Sequence, residues 1–142
     1  MAFYNPSAKD IVSMWYILDA QDQTLGKVAA KVAMLLMGKH QATYVPHLDN
    51  GHRVIIVNAS HLALNPKKME QKLYYRHTGY PGGIRSQTLG NLHAARPTEV
   101  IRKAVKGMLP KNRLGAASLR KLYIYPGSEH EQQAQKPELV TV

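Results

Sequence analysis

The chain has 142 residues, of which 44% are hydrophobic and none is cysteine, and it carries a formal net charge of +10. This length is enough for one core of ordinary size, and the lack of cysteine excludes disulfide frameworks, thiolate zinc sites and cysteine nucleophiles. No apolar run approaches the roughly 20 residues that cross a bilayer, and the start lacks the features of a secretory signal, so a soluble intracellular protein is expected.

The positive charge is concentrated in one interval. Residues 71–128 contain eleven lysines and arginines but a single acidic residue, Glu99, and eleven minus one equals the whole net charge of +10. Since the whole chain has 19 basic and 9 acidic side chains, the rest is balanced at eight of each. A one-sided field of this extent costs self-repulsion and favours a polyanionic partner. Nucleic acid fits better than a membrane, because the cations do not follow the face of one amphipathic helix.

The first half of the chain predicts a strand, a helix and a second strand. Residues 15–20, WYILDA, form a short apolar run that is typical of a buried strand. Residues 25–36 place apolar side chains at helical spacing, and Gly38 marks the end of this helix. Residues 53–60, RVIIVNAS, predict the next strand, and this order implies a right-handed crossover and a mostly parallel sheet.

The second half predicts two more strands around a helical region. Residues 72–78, KLYYRHT, predict a third and less apolar strand at an edge, and residues 122–127, LYIYPG, predict a fourth. Between them, the periodicity of residues 96–109 predicts an amphipathic helix, and residues 111–122 supply a shorter one. From residue 128 onward the polar sequence predicts an extended or partly disordered tail.

The stretch YYRHTGYPGGIRS, residues 74–86, raises the question of catalysis, but its pattern argues against an enzyme. A P-loop closes with Gly-Lys-Ser or Gly-Lys-Thr at the start of a helix, whereas Gly83 is followed here by Ile84 and Arg85. No nucleophile-elbow pattern frames a serine, and the seven histidines include no H-x-x-x-H pair. We therefore expect no catalytic residue, no cofactor and no metal ion.

The same stretch supplies the groups that RNA binding uses. Arg76 and Arg85 are cations for phosphates, the tyrosines are flat groups for stacking, and the glycines permit close backbone approach. Alternation along a strand places Tyr74 on one face with Arg76, and Tyr75 on the other with His77, so one of these tyrosines is predicted to pack in the core. No helix-turn-helix or zinc-finger pattern supports reading of a DNA groove, and folded RNA is the predicted partner.

Several segments occur together in the order and spacing of one family. WYILDA, TLGKVA, GKH, VNA, QKLYYRHTGYPGG, VKGMLPKNRLG and the GSEH and AQKP of the tail resemble the large-subunit ribosomal protein L13 family, of bacterial type and including organellar members. The resemblance covers residues 15–137. It implies an α/β fold. The expected architecture is a three-layer α/β/α single domain with a mainly parallel, about four-stranded sheet. It also implies binding to large-subunit ribosomal RNA and neighbouring large-subunit proteins, a role in subunit assembly and translation, and no membrane or small-molecule substrate.

The resemblance and the charge distribution together select the candidate RNA-binding residues. Carried over from the family motifs are Lys39, His40, Arg76, His77, Tyr80, Arg85, Lys106, Lys111 and Arg113. The charge distribution adds Lys72, Arg102, Lys103, Arg120 and Lys121. Gly82 and Gly83 are included because they allow close approach of the backbone.

Two other functions and the cellular compartment stay open on the sequence alone. The alternatives are a nucleotide-using or RNA-modifying α/β enzyme and a non-ribosomal RNA-binding regulator. The expected location is the ribosome, in a bacterial cytoplasm or an organelle, and the segment around HTGYPGG slightly favours the mitochondrial matrix. The expected organisation is an N-terminal extension at residues 1–14, an α/β domain at residues 15–127 and an extended polar tail at residues 128–142.

Overall fold

The main sheet of the protein has four parallel strands. The structure is a computed structural model, and it describes residues 6–142. The strands are β1 (Trp15–Asp19), β2 (Arg53–Val57), β3 (Leu73–His77), β4 (Ile84–Thr88), β5 (Leu122–Ile124) and β6 (Glu138–Leu139). The main sheet has the order β5-β2-β1-β6, and β3 and β4 form a separate antiparallel hairpin.

Within residues 6–142, five α-helices connect the strands or follow them. They are α1 (Leu25–Met37), α2 (Pro66–Gln71), α3 (Leu89–Ala95), α4 (Pro97–Met108) and α5 (Arg113–Arg120). Short 3-10 turns occur at Ala8–Asp10, Ala59–His61 and Gln133–Gln135. Within the residues that the structure describes, none of these helices has both the length and the apolar character required to span a bilayer.

The first crossover follows the predicted pattern. Helix α1 ends at Gly38, whose φ of 73° is left-handed and whose N–H bonds to the carbonyl of Leu35. A Cβ at Gly38 would collide with the carbonyl oxygen of Asn50, so a glycine is required here for two reasons. Gly38 therefore fixes the end of α1, where the chain turns back toward β2.

The two faces of the sheet follow from strand alternation. Leu18, Val54 and Ile56 lie in the main core cluster, which also contains buried side chains of α1 and α4. Each fully buried side chain of this size contributes about 1.5 to 3 kcal/mol. Trp15 and Tyr123 point to the opposite face, where their rings stack at 5.5 Å. The connection from β5 to β6 runs back across the sheet, and a right-handed crossover places it on this second face.

The sheet and helices form a single α/β domain, as the sequence predicts, but two strands differ from expectation. Residues 73–77 do not join the main sheet, because a tight turn brings β4 back to pair with them locally. The fourth parallel strand is instead β6, in the tail, where Val140 N–H donates to the carbonyl of Ile17 at 2.9 Å. The tail was expected to be extended or partly disordered, but an open edge of β1 binds it through backbone groups, which need no apolar sequence pattern.

Candidate nucleic-acid interface

The glycines of the HTGYPGG stretch build the tip of the β3–β4 hairpin. Gly83 N–H donates to the carbonyl of Tyr80 at 3.0 Å, which closes a four-residue turn. Pro81 occupies the second position and Gly82, with a φ of +68°, the third, as a type II turn requires. A Cβ on Gly83 would collide with the hydroxyl of Thr78. The backbone conformation favours glycine at position 82, and the neighbouring side chain favours it at position 83. The role of both glycines in close approach of RNA stays a prediction.

The hairpin places two arginines directly opposite one another. Arg76 pairs with Arg85 in the register, and both project from the face that carries Tyr74. Neither guanidinium forms an ion pair within residues 6–142. Like charges that face each other across two strands destabilise a hairpin, by roughly 0.2 to 1 kcal/mol. An arrangement with this cost is suited to a polyanion that neutralises both charges.

Tyr74 is the structural tyrosine of the stretch. Its ring packs against the cluster of Leu89, Leu92 and Val100 and lies close to two ammonium groups. The Nζ of Lys72 is 5.3 Å from the ring centroid, and that of Lys103 is 4.9 Å away. The prediction that one of the two adjacent tyrosines fills the core is confirmed.

Other aromatic groups of the hairpin face solvent. Tyr75 is 68% exposed and Tyr80 is 75% exposed. His77 is also exposed, and its Nδ1 accepts a hydrogen bond from the Gly79 N–H at 2.9 Å. In the neutral ring the proton is therefore on Nε2. Of the predicted flat groups, Tyr80 and His77 are therefore both available for contacts outside the chain.

Helix α4 joins two cationic depressions. The first, the hairpin cleft, has a volume of about 530 Å³ between the hairpin and the helices α3 and α4, and its cations are Arg76, Arg85, Arg96 and Lys103. The second, the helix groove, has a volume of about 720 Å³ between α4 and α5, and its cations are Arg102, Lys103, Lys106, Lys111 and Arg120. Lys103 borders both, and Glu99 in the hairpin cleft is the one carboxylate among their lining residues. Sequence reasoning did not select Arg96, although it lies in the basic interval.

Some predicted residues lie elsewhere. Lys121 is used inside the protein, since its Nζ is 2.8 Å from Asp49 Oδ2 and 3.1 Å from the carbonyl oxygen of Gly51. Lys39 and His40 follow α1 and are exposed outside both depressions. Arg113, at the first position of α5, is exposed and is likewise not among the lining residues.

His40 covers a buried histidine. The His52 side chain is fully buried, its ring centroid is 4.9 Å from that of His40, and its Nδ1 accepts the Met14 N–H at 3.1 Å. Burial, together with the nearby His40 and Lys121, lowers the pKa of His52 from 6.5 to about 4. His52 is therefore neutral at pH 7 and acts as a hydrogen-bond acceptor that ties the segment before β1 to β2.

The metal-ligating side chains of the described residues are scattered. Among residues 6–142, no group of three or more histidines, aspartates or glutamates is arranged to hold a metal ion. The dominant electrostatic feature is the continuous run of cations along the hairpin, α4 and α5. This arrangement can neutralise several phosphates at once.

The sequence is similar to known proteins over nearly its whole length. The family model described as Ribosomal protein L13 matches residues 13–131. A large ribosomal subunit protein uL13 of Thermobifida fusca is 51% identical over 137 residues, covering 96% of this chain and 92% of the relative. Proteins of the same name are 49% identical in Heliobacterium modesticaldum, covering 100% and 99%, and in Oleidesulfovibrio alaskensis, covering 97% and 96%.

Proposed function

Since this chain belongs to the ribosomal protein L13 family, we propose that it is a structural constituent of the large ribosomal subunit and contacts large-subunit RNA. The family is a structural one, so the chain is not an enzyme, and the alternative of a nucleotide-using or RNA-modifying enzyme is set aside. Neighbouring large-subunit proteins are its other expected partners.

One observation supports the RNA-binding surface more than any other. The cations of the hairpin cleft and of the helix groove converge on Lys103 and form no ion pair within the described part of the chain. Phosphates attract such unpaired cations and release counterions when they bind. The domain then fixes the RNA segments relative to each other, because α4 and the hairpin are held against one core through Tyr74.

Salt dependence tests this mechanism. If about five to eight phosphates are neutralised, the log-log slope of affinity for a large-subunit RNA fragment against salt is about −4 to −7. The double variant Lys103→Gln, Lys106→Gln removes two of these cations and should flatten the slope by about 1.4 to 1.8. The matched control Lys27→Gln, Lys31→Gln lies on α1, in the charge-balanced part of the chain, and should leave the slope unchanged. A flat response of the wild type refutes the electrostatic mechanism.

The compartment belongs to the same proposal. The relatives from Oleidesulfovibrio, Heliobacterium and Thermobifida are bacterial proteins. This supports a bacterial cytoplasmic ribosome over the mitochondrial ribosome that the sequence slightly favours. Sedimentation of an extract of the source cells should place the chain with large subunits. A pool that sediments free of ribosomes would instead indicate a non-ribosomal RNA-binding regulator.

A further inference from the structure

The helix groove has an apolar floor and firmly held walls. Leu109, only 4% exposed, and Leu119 contribute to the floor, between α4 and α5. A Cβ at Gly115 would collide with the carbonyl oxygen of Pro110, so α5 packs directly on the loop that follows α4. Asn112 Oδ1 accepts the Gly115 N–H at 2.8 Å and fixes the start of α5. The volume of about 720 Å³ is thus a stable feature of the fold and falls in the range of ligand pockets.

A glycine in α4 leaves part of the groove without a side chain. Gly107 lies inside the helix, its φ is not left-handed, and a Cβ there would meet nothing within 4 Å. Glycine inside a helix is less favourable than alanine, because its backbone loses more conformational entropy on folding. An alanine would fit at this position without a steric clash. Neither backbone conformation nor internal packing requires this glycine. It leaves the helix backbone accessible to something that approaches closely from outside.

The charge around the groove defines the chemistry of an occupant. Five cations line it and no carboxylate does, while the floor between them is apolar. An occupant must therefore combine an apolar, preferably flat, centre with negative charges on its flanks. An unpaired nucleotide has this combination, because its base is an apolar plate joined to phosphates on both sides. A base in a duplex does not, since its faces are covered by its neighbours.

Continuity with the hairpin cleft favours RNA over an acidic protein segment. Lys103 lines both the groove and the cleft, so a strand bound to Arg76 and Arg85 can continue along α4 without leaving cationic surface. An acidic peptide would match the rim of the groove alone.

We propose that the helix groove binds a single-stranded segment of large-subunit RNA, with an unstacked base on Leu109 and Leu119 and its flanking phosphates on the rim cations. The inference rests on the proposed function, because it assigns one part of the RNA surface to one RNA feature. Binding of the base is apolar and binding of the phosphates is ionic, so the two can be separated by their response to salt.

A groove-filling variant tests the base site in the full-length protein. Ala116 is exposed and lines the groove, and Ala116→Trp fills it without changing any charge. We measure affinity for a short oligouridine strand and for an RNA duplex of equal length at several salt concentrations. Ala116→Trp should weaken binding to the single strand roughly tenfold, with an unchanged salt slope and unchanged duplex binding. Ala30→Trp, on the exposed side of α1, is the matched control and should behave as the wild type.

The outcomes separate the two proposals. Wild-type protein that binds neither RNA in a salt-dependent manner contradicts the proposed function itself. Wild-type protein that binds RNA while Ala116→Trp keeps full affinity for the single strand overturns only the base site.

Crosslinking in assembled subunits gives a second readout. Ultraviolet irradiation of purified large subunits should attach a nucleotide to a peptide that lines the groove, and the nucleotide should be unpaired. Nucleotide adducts elsewhere in the chain but none at the groove, together with lysine-reactive crosslinks from Lys106 or Lys111 to another protein, would identify a protein occupant and overturn the proposal.

Discussion

Acidification should destabilise this fold through one buried histidine, His52. Its ring is buried and neutral, and protonation would both place a charge in the core and remove the acceptor for the Met14 N–H. The pKa is about 4 in the folded protein, against 6.5 for an ordinary histidine. Between these two values the unfolded chain binds a proton that the folded chain does not. Stability is therefore complete above about pH 6.5 and falls as the pH decreases toward 4.

The size of the effect follows from the shift. A pKa lowered from 6.5 to about 4 corresponds to roughly 3 kcal/mol, most of which is lost by pH 4.5. Small domains have a total stability of about 5 to 15 kcal/mol, so this loss is large enough to measure.

Urea denaturation at a series of pH values provides the assay. The variant His52→Asn keeps a side-chain oxygen that can accept the Met14 N–H but cannot be protonated in this range. It should be less stable at neutral pH because the ring is lost. Between pH 7 and pH 4.5 it should lose roughly 2 to 3 kcal/mol less stability than the wild type. His47→Asn replaces an exposed ring and serves as the matched control. Parallel pH profiles of His52→Asn and wild type would refute the reasoning.

Two further predictions concern the hairpin. Gly82→Ala places a side chain on a residue with left-handed backbone, and thermal denaturation should show a loss of about 1 to 2 kcal/mol in the free energy of unfolding. The control Gly127→Ala has equally open surroundings but no positive φ, so it should be neutral or slightly stabilising. Equal melting temperatures of the two variants would contradict the turn assignment. Tyr74→Phe should change stability by less than about 0.5 kcal/mol, because the buried hydroxyl has no hydrogen-bond partner among the described residues. A larger loss would reveal a partner for that hydroxyl.

The sequence predicts the parts of this fold that carry a strong periodic signal. The β1-α1-β2 unit, α4 and α5 were expected near their observed positions, because apolar periodicity and terminal glycine or proline define them locally. The charge count likewise selects the α4 cations that meet at Lys103. These features depend on neighbouring residues along the chain.

Features that depend on distant residues were not predicted. Apart from Ile84, residues 84–88 are polar, and four of the five are exposed, so no alternation marks β4. The short helices α2 and α3 lack a full apolar period. The ion pair of Lys121 with Asp49 joins positions far apart in sequence, and a charge count cannot distinguish such a paired lysine from a free one. The same limit applies to His52, whose burial depends on the packing of His40 and Tyr16.

The late position of β6 bears on how the protein is made. Tyr16 pairs with Glu138, so the partner of β1 is synthesised 122 positions after it (138 minus 16). Throughout elongation β1 has one open edge, and an open edge is a template for pairing with other chains. The sheet is thus completed only when the tail is synthesised. In a product truncated after Lys136, the β1 amides that face β6 should exchange faster with solvent, which hydrogen exchange can detect. The edge of β1 is therefore covered only after residues 138–139 have been synthesised.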